Sequence, residues 1–164
     1  SWSNPILFGE DQYRQNRSSS RAAGFFVAHL LAMDQLDAAN IILNQAIENT
    51  PDKERFKLAQ LHVNCIHSAD FKPSIDVKTI RHELADAGPD INLARGLYQV
   101  IESSVYTQCP LSETEHLKSW LEALASNPRY SSHGESRYWL HRSHALIARQ
   151  RGLTEERKRP ASNQ

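Results

Sequence analysis

From Ser20 to Lys53 the apolar positions recur at helical spacing, with small and large side chains at fixed offsets. Ala23, Phe26, Val27 and Leu30 lie along one face, followed by Ala39, Leu43 and Ala46 and then by Pro51. Two short amphipathic helices joined by a turn at Met33–Asp37 account for this pattern. Small side chains at Val27, Ala39 and Ala46 let one helix lie close to the other, while Phe26, Leu30 and Leu43 fill the seam. Such a hairpin leaves one apolar flank uncovered and therefore needs neighbours.

The remaining chain supplies further helical patterns. Upstream, Ile6–Gln15 carries Ile6, Leu7, Phe8 and Tyr13, and the Ser18–Ser20 hydroxyls stand ready to cap the helix that begins near Arg21. Lys53–Ser68 is a second first-of-pair helix built on Phe56, Leu58, Leu61, Cys65 and Ile66. Its partner, Ile75–Ala87, carries Val77, Ile80 and Leu84 and stops at Gly88–Pro89. Asp90 is placed to cap Ile91–Tyr106, and Ser112–Glu115 has capping-box spacing before a helix reaching Ala125. That helix sets Leu117, Trp120, Leu121 and Leu124 on one side, and a last helix spans Gly134–Arg151. The expected fold is all-α, with about seven helices in antiparallel hairpins. Residues 1–152 form one helical domain, and residues 153–164 form a polar tail expected to be frayed or disordered.

Composition narrows the function. Nineteen basic and nineteen acidic residues give a formal net charge of zero, so no basic field is available to hold nucleic acid or acidic lipid. Apolar residues make up 40% and charged residues 23%. No apolar run approaches the roughly 18 residues of a membrane span. The chain begins at Ser1–Trp2 without methionine, as a fragment or processed product would. The basic end formed by Arg149, Arg151, Arg157, Lys158 and Arg159 is interrupted by Glu155 and Glu156, as in a solvated tail.

Candidate chemistry is sparse. His141 and His144 share a helix face at i and i+3, but no third ligand is evident, so no metal site is assigned. His62 and His67 are five apart and diverge. No nucleophile elbow, zinc-protease motif or phosphate loop occurs. The segment is read as non-enzymatic, with no catalytic residue and no cofactor.

Cys65 and Cys109 fall at corresponding ends of two first-of-pair helices, which in a stack of hairpins run roughly parallel. The two thiols are either bridged, in an oxidising compartment, or buried and reduced.

These features resemble a tetratricopeptide (TPR) repeat, whose period is about 34 residues. The resemblance is specific over Ser20–Pro51, partial over Lys53–Pro89, and survives mainly at the closing Ala123…Pro128 beyond. Trp2, the Asn16–Ala22 entry, Cys65, Cys109–Leu111 and Asn127–Pro128 together resemble the soluble C-terminal TPR region of bacterial multi-span membrane proteins of the glycosyltransferase type.

That resemblance implies a right-handed solenoid with degenerate second and third repeats. It also implies a protein- or peptide-binding scaffold on the periplasmic face of a membrane, with the cytoplasm as the alternative, and self-association as a further option. The implied groove is lined by Arg21, Gly24, Phe25, Ala28 and Leu31 on the first hairpin and by Arg55, Lys57, His62 and Asn64 on the second. Phe25 and Leu31 would grip apolar side chains and Arg21 or Arg55 a carboxylate; alternatively, Phe25 and Leu31 pack beneath the N-terminal segment. A different class of function, glycan or lipid-sugar sensing, would use Trp2, Trp120 and Trp139 as stacking faces. A structural spacer is the third.

Overall fold

The computed structural model describes residues 4–67, 76–107 and 114–159. These residues form helices without strands: α1 (Pro5–Gln15), α2 (Ser20–Ala32), α3 (Leu36–Asn49), α4 (Lys53–His67), α5 (Val77–Asp86), α6 (Leu93–Tyr106), α7 (Thr114–Ala125), α8 (Pro128–Ser131) and α9 (Gly134–Lys158). Nine helices among the described residues exceed the expected seven. The helix without a counterpart among the predicted segments is α8, a single turn too short to show any hydrophobic period. No described helix is long and apolar enough to cross a membrane.

The chain divides into two compact units, residues 1–64 and 65–164. In the first unit, α1 starts at Asn4, whose Oδ1 accepts from the Ile6 and Leu7 amides at 3.1 and 3.4 Å, with Pro5 supplying a pre-set φ. Ser19 caps α2 by accepting from the Ala22 amide at 3.2 Å. The α2–α3 turn passes through Asp34 at φ 57°, a left-handed conformation more usual for glycine. The Gln35 amide then reaches back to the Leu30 carbonyl at 2.9 Å and the Asp34 amide to Leu31 at 3.0 Å, satisfying the carbonyls that the end of α2 leaves open. At the end of α3, the Thr50 hydroxyl donates to the Ala46 carbonyl at 2.8 Å before Pro51 prevents continuation.

Ala23, Ala39 and Ala46 are completely buried, which lets α2 and α3 approach closely. Tyr13, Phe26, Val27, Leu30, Leu43 and Phe56 complete the same core, so all four helices contribute to it. Each large side chain buried there contributes about 1.5–3 kcal/mol. Between α3 and α4 two side-chain amide bonds fix an antiparallel register. Asn40 donates to Asn64 at 3.0 Å, and Gln60 donates to Asn44 at 2.7 Å. The partners stand four apart on each helix, so a slip of one turn would lose one of these bonds.

The second unit is built differently. Its apolar centre comprises Ile80 and Leu84 of α5, Leu93, Leu97 and Ile101 of α6, Leu117, Trp120 and Leu121 of α7, and Leu140 and Ile147 of α9. Both α6 and α9 also carry buried serines. Ser103 and Ser104 return their hydroxyl protons to the Gln99 and Val100 carbonyls, and Ser143 to Trp139. Each thus presents a small side chain without leaving a donor unpaired.

Asp90 does not cap α6. Its Oδ1 accepts from the Asn92 amide at 2.9 Å, forming a turn that delays the helix to Leu93 and leaves Ile91 exposed. The helix predicted from Ile75 begins at Val77, with the Asp76 carboxylate accepting from the Lys78 amide. α9 continues through Gly152 to Lys158, past the point where a polar tail is expected to begin. The Ser112 capping position lies outside the described residues.

The α5–α6 connection is held from α8. Buried Asn127 caps α8 by accepting from the Arg129 amide at 3.1 Å. The same side chain donates to the Leu84 and Ala87 carbonyls at 3.3 and 3.1 Å. Arg129 adds a bond to the Ala87 carbonyl at 3.2 Å. The Tyr130 hydroxyl donates to the Gly88 carbonyl and accepts from the Asp90 amide at 3.1 Å. The Ala87 and Gly88 carbonyls and the Asp90 amide, which a Gly-Pro segment would otherwise leave open, are thereby engaged from across the unit.

Candidate interaction surface

The residues expected to line a groove on the first unit fall into three environments. Arg21 and Ala28 are exposed on α2. Gly24 faces Arg55, because a Cβ at Gly24 would lie 3.3 Å from Arg55 Nη2. That guanidinium donates to the Ser20 carbonyl at 2.8 Å and stands 4.7 Å from the Phe56 ring centroid. Arg55 therefore ties the start of α2 to α4, and part of its hydrogen-bonding capacity is spent within the unit.

Phe25 is 41% exposed. One side of its ring rests on α1, where a Cβ at Gly9 would come within 3.3 Å of Cδ1, and Phe8 meets it edge-on at 6.0 Å. The His29 ring stacks at 4.2 Å, held there by a 2.8 Å contact between Nδ1 and the Phe25 carbonyl. Glycine at position 9 is what makes room for this aromatic cluster.

Leu31 is partly buried against the core. Lys57 and His62 are half-buried on α4, and Asn64 is engaged with Asn40 of α3. The structure thus groups Arg21, Gly24, Phe25, Ala28 and Arg55 around α2, and it turns Leu31 and Asn64 toward neighbouring helices.

In the second unit, Trp120 is 1% exposed inside α7, so it offers no stacking face. Trp139 is half-buried on α9, and Trp2 lies outside the described residues. His141 and His144 are both exposed, and no three metal-ligating side chains converge among the described residues. Cys65 is buried, its Sγ 3.8 Å from Thr107 Oγ1, and no cysteine among the described residues is free. Cys109 lies outside the described residues.

A cluster that sequence reasoning did not single out surrounds Arg142. Its guanidinium lies 5.1, 5.7 and 5.9 Å from the ring centroids of Tyr98, Tyr138 and Trp139. It donates to Tyr138 Oη at 2.9 Å and to Tyr98 Oη at 3.3 Å. Tyr98 in turn donates to Glu102. The hydrogen bond to Glu102, and then burial, raise the Tyr98 phenol above its ordinary pKa; the bond to Tyr138, and then the charge interaction with it, raise that of Arg142. Both groups therefore keep their protons at neutral pH. The signal that could have found the cluster is that Tyr138 and Trp139 stand four and three residues before Arg142 on one helix; which helix faces them is not visible in the sequence. The chain matches no protein-family model, no curated protein and no solved structure.

Proposed function

We propose that this chain is a non-catalytic helical interaction module of TPR-like solenoid type, which binds a protein or peptide along α2. The observation that carries the reading is Phe25, 41% exposed on α2 and flanked by exposed Arg21 and Ala28. An apolar ring that is braced from beneath is already ordered and loses little entropy on contact, and an adjacent arginine selects a carboxylate. The wider reading places the module as the soluble C-terminal part of a membrane-anchored, glycosyltransferase-like protein, facing the periplasm. It rests on the resemblance of the Ser20–Pro51 hairpin and of the residues around it.

Affinity capture with immobilised protein tests the surface. Phe25→Ala and Arg21→Ala are expected each to lose the polypeptides captured by the wild type, whereas Ile41→Ala, at an exposed apolar position on α3, retains them. Unchanged capture by both α2 variants would sink the proposal.

A Cys65–Cys109 bridge belongs to the same reading. Thr107 Oγ1 stands 3.8 Å from Cys65 Sγ, and Cys109 is two residues further on, at most about 7 Å of chain. Thiol titration of the native chain is expected to detect no free thiol until reductant is added. Two reactive thiols in unfolded, unreduced protein would exclude the bridge.

A further inference from the structure

The Arg142 cluster lies in the second unit and is independent of the α2 surface. From α6 come Arg95, Tyr98 and Glu102; from α9 come Tyr138, Trp139 and Arg142. Arg95 and Arg142 approach the same indole, with Cζ 5.7 and 5.9 Å from its centroid. Neither guanidinium has a carboxylate within ion-pair distance among the described residues, and the carboxylate of Glu102 takes the Tyr98 hydroxyl instead. Two like charges are thus held near one ring, with the Tyr138 and Tyr98 hydroxyls as the hydrogen-bond partners of Arg142. Cation–π attraction offsets part of their repulsion, but the planar donor faces that would hold a carboxylate are not filled by one.

We infer that this cluster is a binding site for an acidic carbohydrate, a sugar carrying a carboxylate. Three properties point to that class. Tyr138 is 52% exposed, giving a flat ring for the C–H face of a pyranose. Exposed Arg95 supplies the forked donor for the carboxylate, and Arg142, whose Nη1 and Nη2 are already bonded to Tyr138 and Tyr98, adds positive charge in the same cluster. The half-buried Trp139 ring meets those of Tyr98 and Tyr138 at 5.1 and 5.0 Å, so further aromatic surface adjoins the Tyr138 face. The rings and Arg142 are already packed and bonded together, so a ligand meets a site whose rotamers are largely set.

Calorimetric titration of the whole chain with a trimer of α-1,4-linked galacturonate tests the assignment, with maltotriose and a hexaglutamate peptide as comparators. The uronate trimer is expected to bind, and maltotriose to bind about tenfold more weakly or less, the difference expected for one charge-assisted contact. Arg95→Gln and Tyr138→Ala are both exposed-site changes that leave the core intact, and each is expected to weaken uronate binding about tenfold. Circular dichroism confirms that the fold is kept. No heat with the uronate, equal binding of maltotriose, equal or tighter binding of hexaglutamate, or unaltered affinity in both variants would each overturn the inference.

Discussion

The two units are both helical, yet they are held together by different means. In the first, α2 and α3 meet through alanines with no exposed surface, and the long-range polar links include two amide pairs between α3 and α4, the Arg55 bond to Ser20 and the Tyr13 hydroxyl bond to Gln45. In the second, much of the connection between α5 and α6 is secured by side chains from α8 bonding to backbone carbonyls some 40 residues away in sequence. The contrast shows that close packing and polar latching are alternative ways to fix a helix pair. Apolar packing is non-directional and tolerates small adjustments. A buried polar latch is directional, and removing one partner strands the other.

The sharpest test is therefore in the second unit. Asn127→Ala removes the bonds to Leu84 and Ala87 and the α8 cap together, and is expected to cost about 2–4 kcal/mol in urea denaturation. A loss below about 1 kcal/mol would mean that Arg129 and Tyr130 suffice and that the latch is redundant.

An intermediate effect is expected between α3 and α4. Asn64→Leu leaves the Asn40 amide facing an apolar group and should cost about 1–2 kcal/mol. The double variant Asn40→Leu/Asn64→Leu should recover most of that loss, because no polar group is then stranded. Additive losses would show that the amides contribute stability as well as register.

The smallest effects come from a matched pair of helical glycines, one in each unit. Gly96→Ala in α6 meets nothing within 4 Å and should stabilise by about 1 kcal/mol. Gly24→Ala should gain less, because its methyl displaces Arg55 Nη2 from 3.3 Å and loosens the bond to Ser20. Thermal melts of both variants check the difference; an equal gain would indicate that the Arg55 link adds little.

The first unit was legible to the extent that packing followed periodicity. Ala23, Phe26, Val27, Leu30, Ala39, Leu43 and Ala46 are all buried as their spacing predicts. The turn at Met33–Asp37 falls where the apolar pattern changes phase, although the left-handed residue is Asp34 and not a glycine. The TPR resemblance assigns Asn64 to the groove because it lies on a first-of-pair helix, where its spacing leaves it outside the apolar positions. The spacing does not disclose that α3 offers a matching amide.

The candidate sites divide along the same line. Phe25 has two expected settings, a groove face and packing beneath the N-terminal segment, and neither alone describes a ring that is 41% exposed with one side on α1. That it rests on Gly9 and Phe8 required the neighbouring helix. Trp120 and Trp139 look alike as tryptophans on helices, yet one is sealed within α7's packing and the other borders two arginines.

The sequence by itself determined the all-helical class, most helix positions and the apolar face of each, because period and capping residues act within a few turns of chain. Only the tertiary structure decided that Asn127 and Tyr130 secure the α5–α6 loop, that Asn40 meets Asn64, and that Arg95 and Arg142 converge on one indole. Apart from Arg142 and Trp139, neighbours on α9, those contacts join residues 24 to 44 positions apart, and their free energy depends on the distance and angle between groups whose meeting no local pattern encodes.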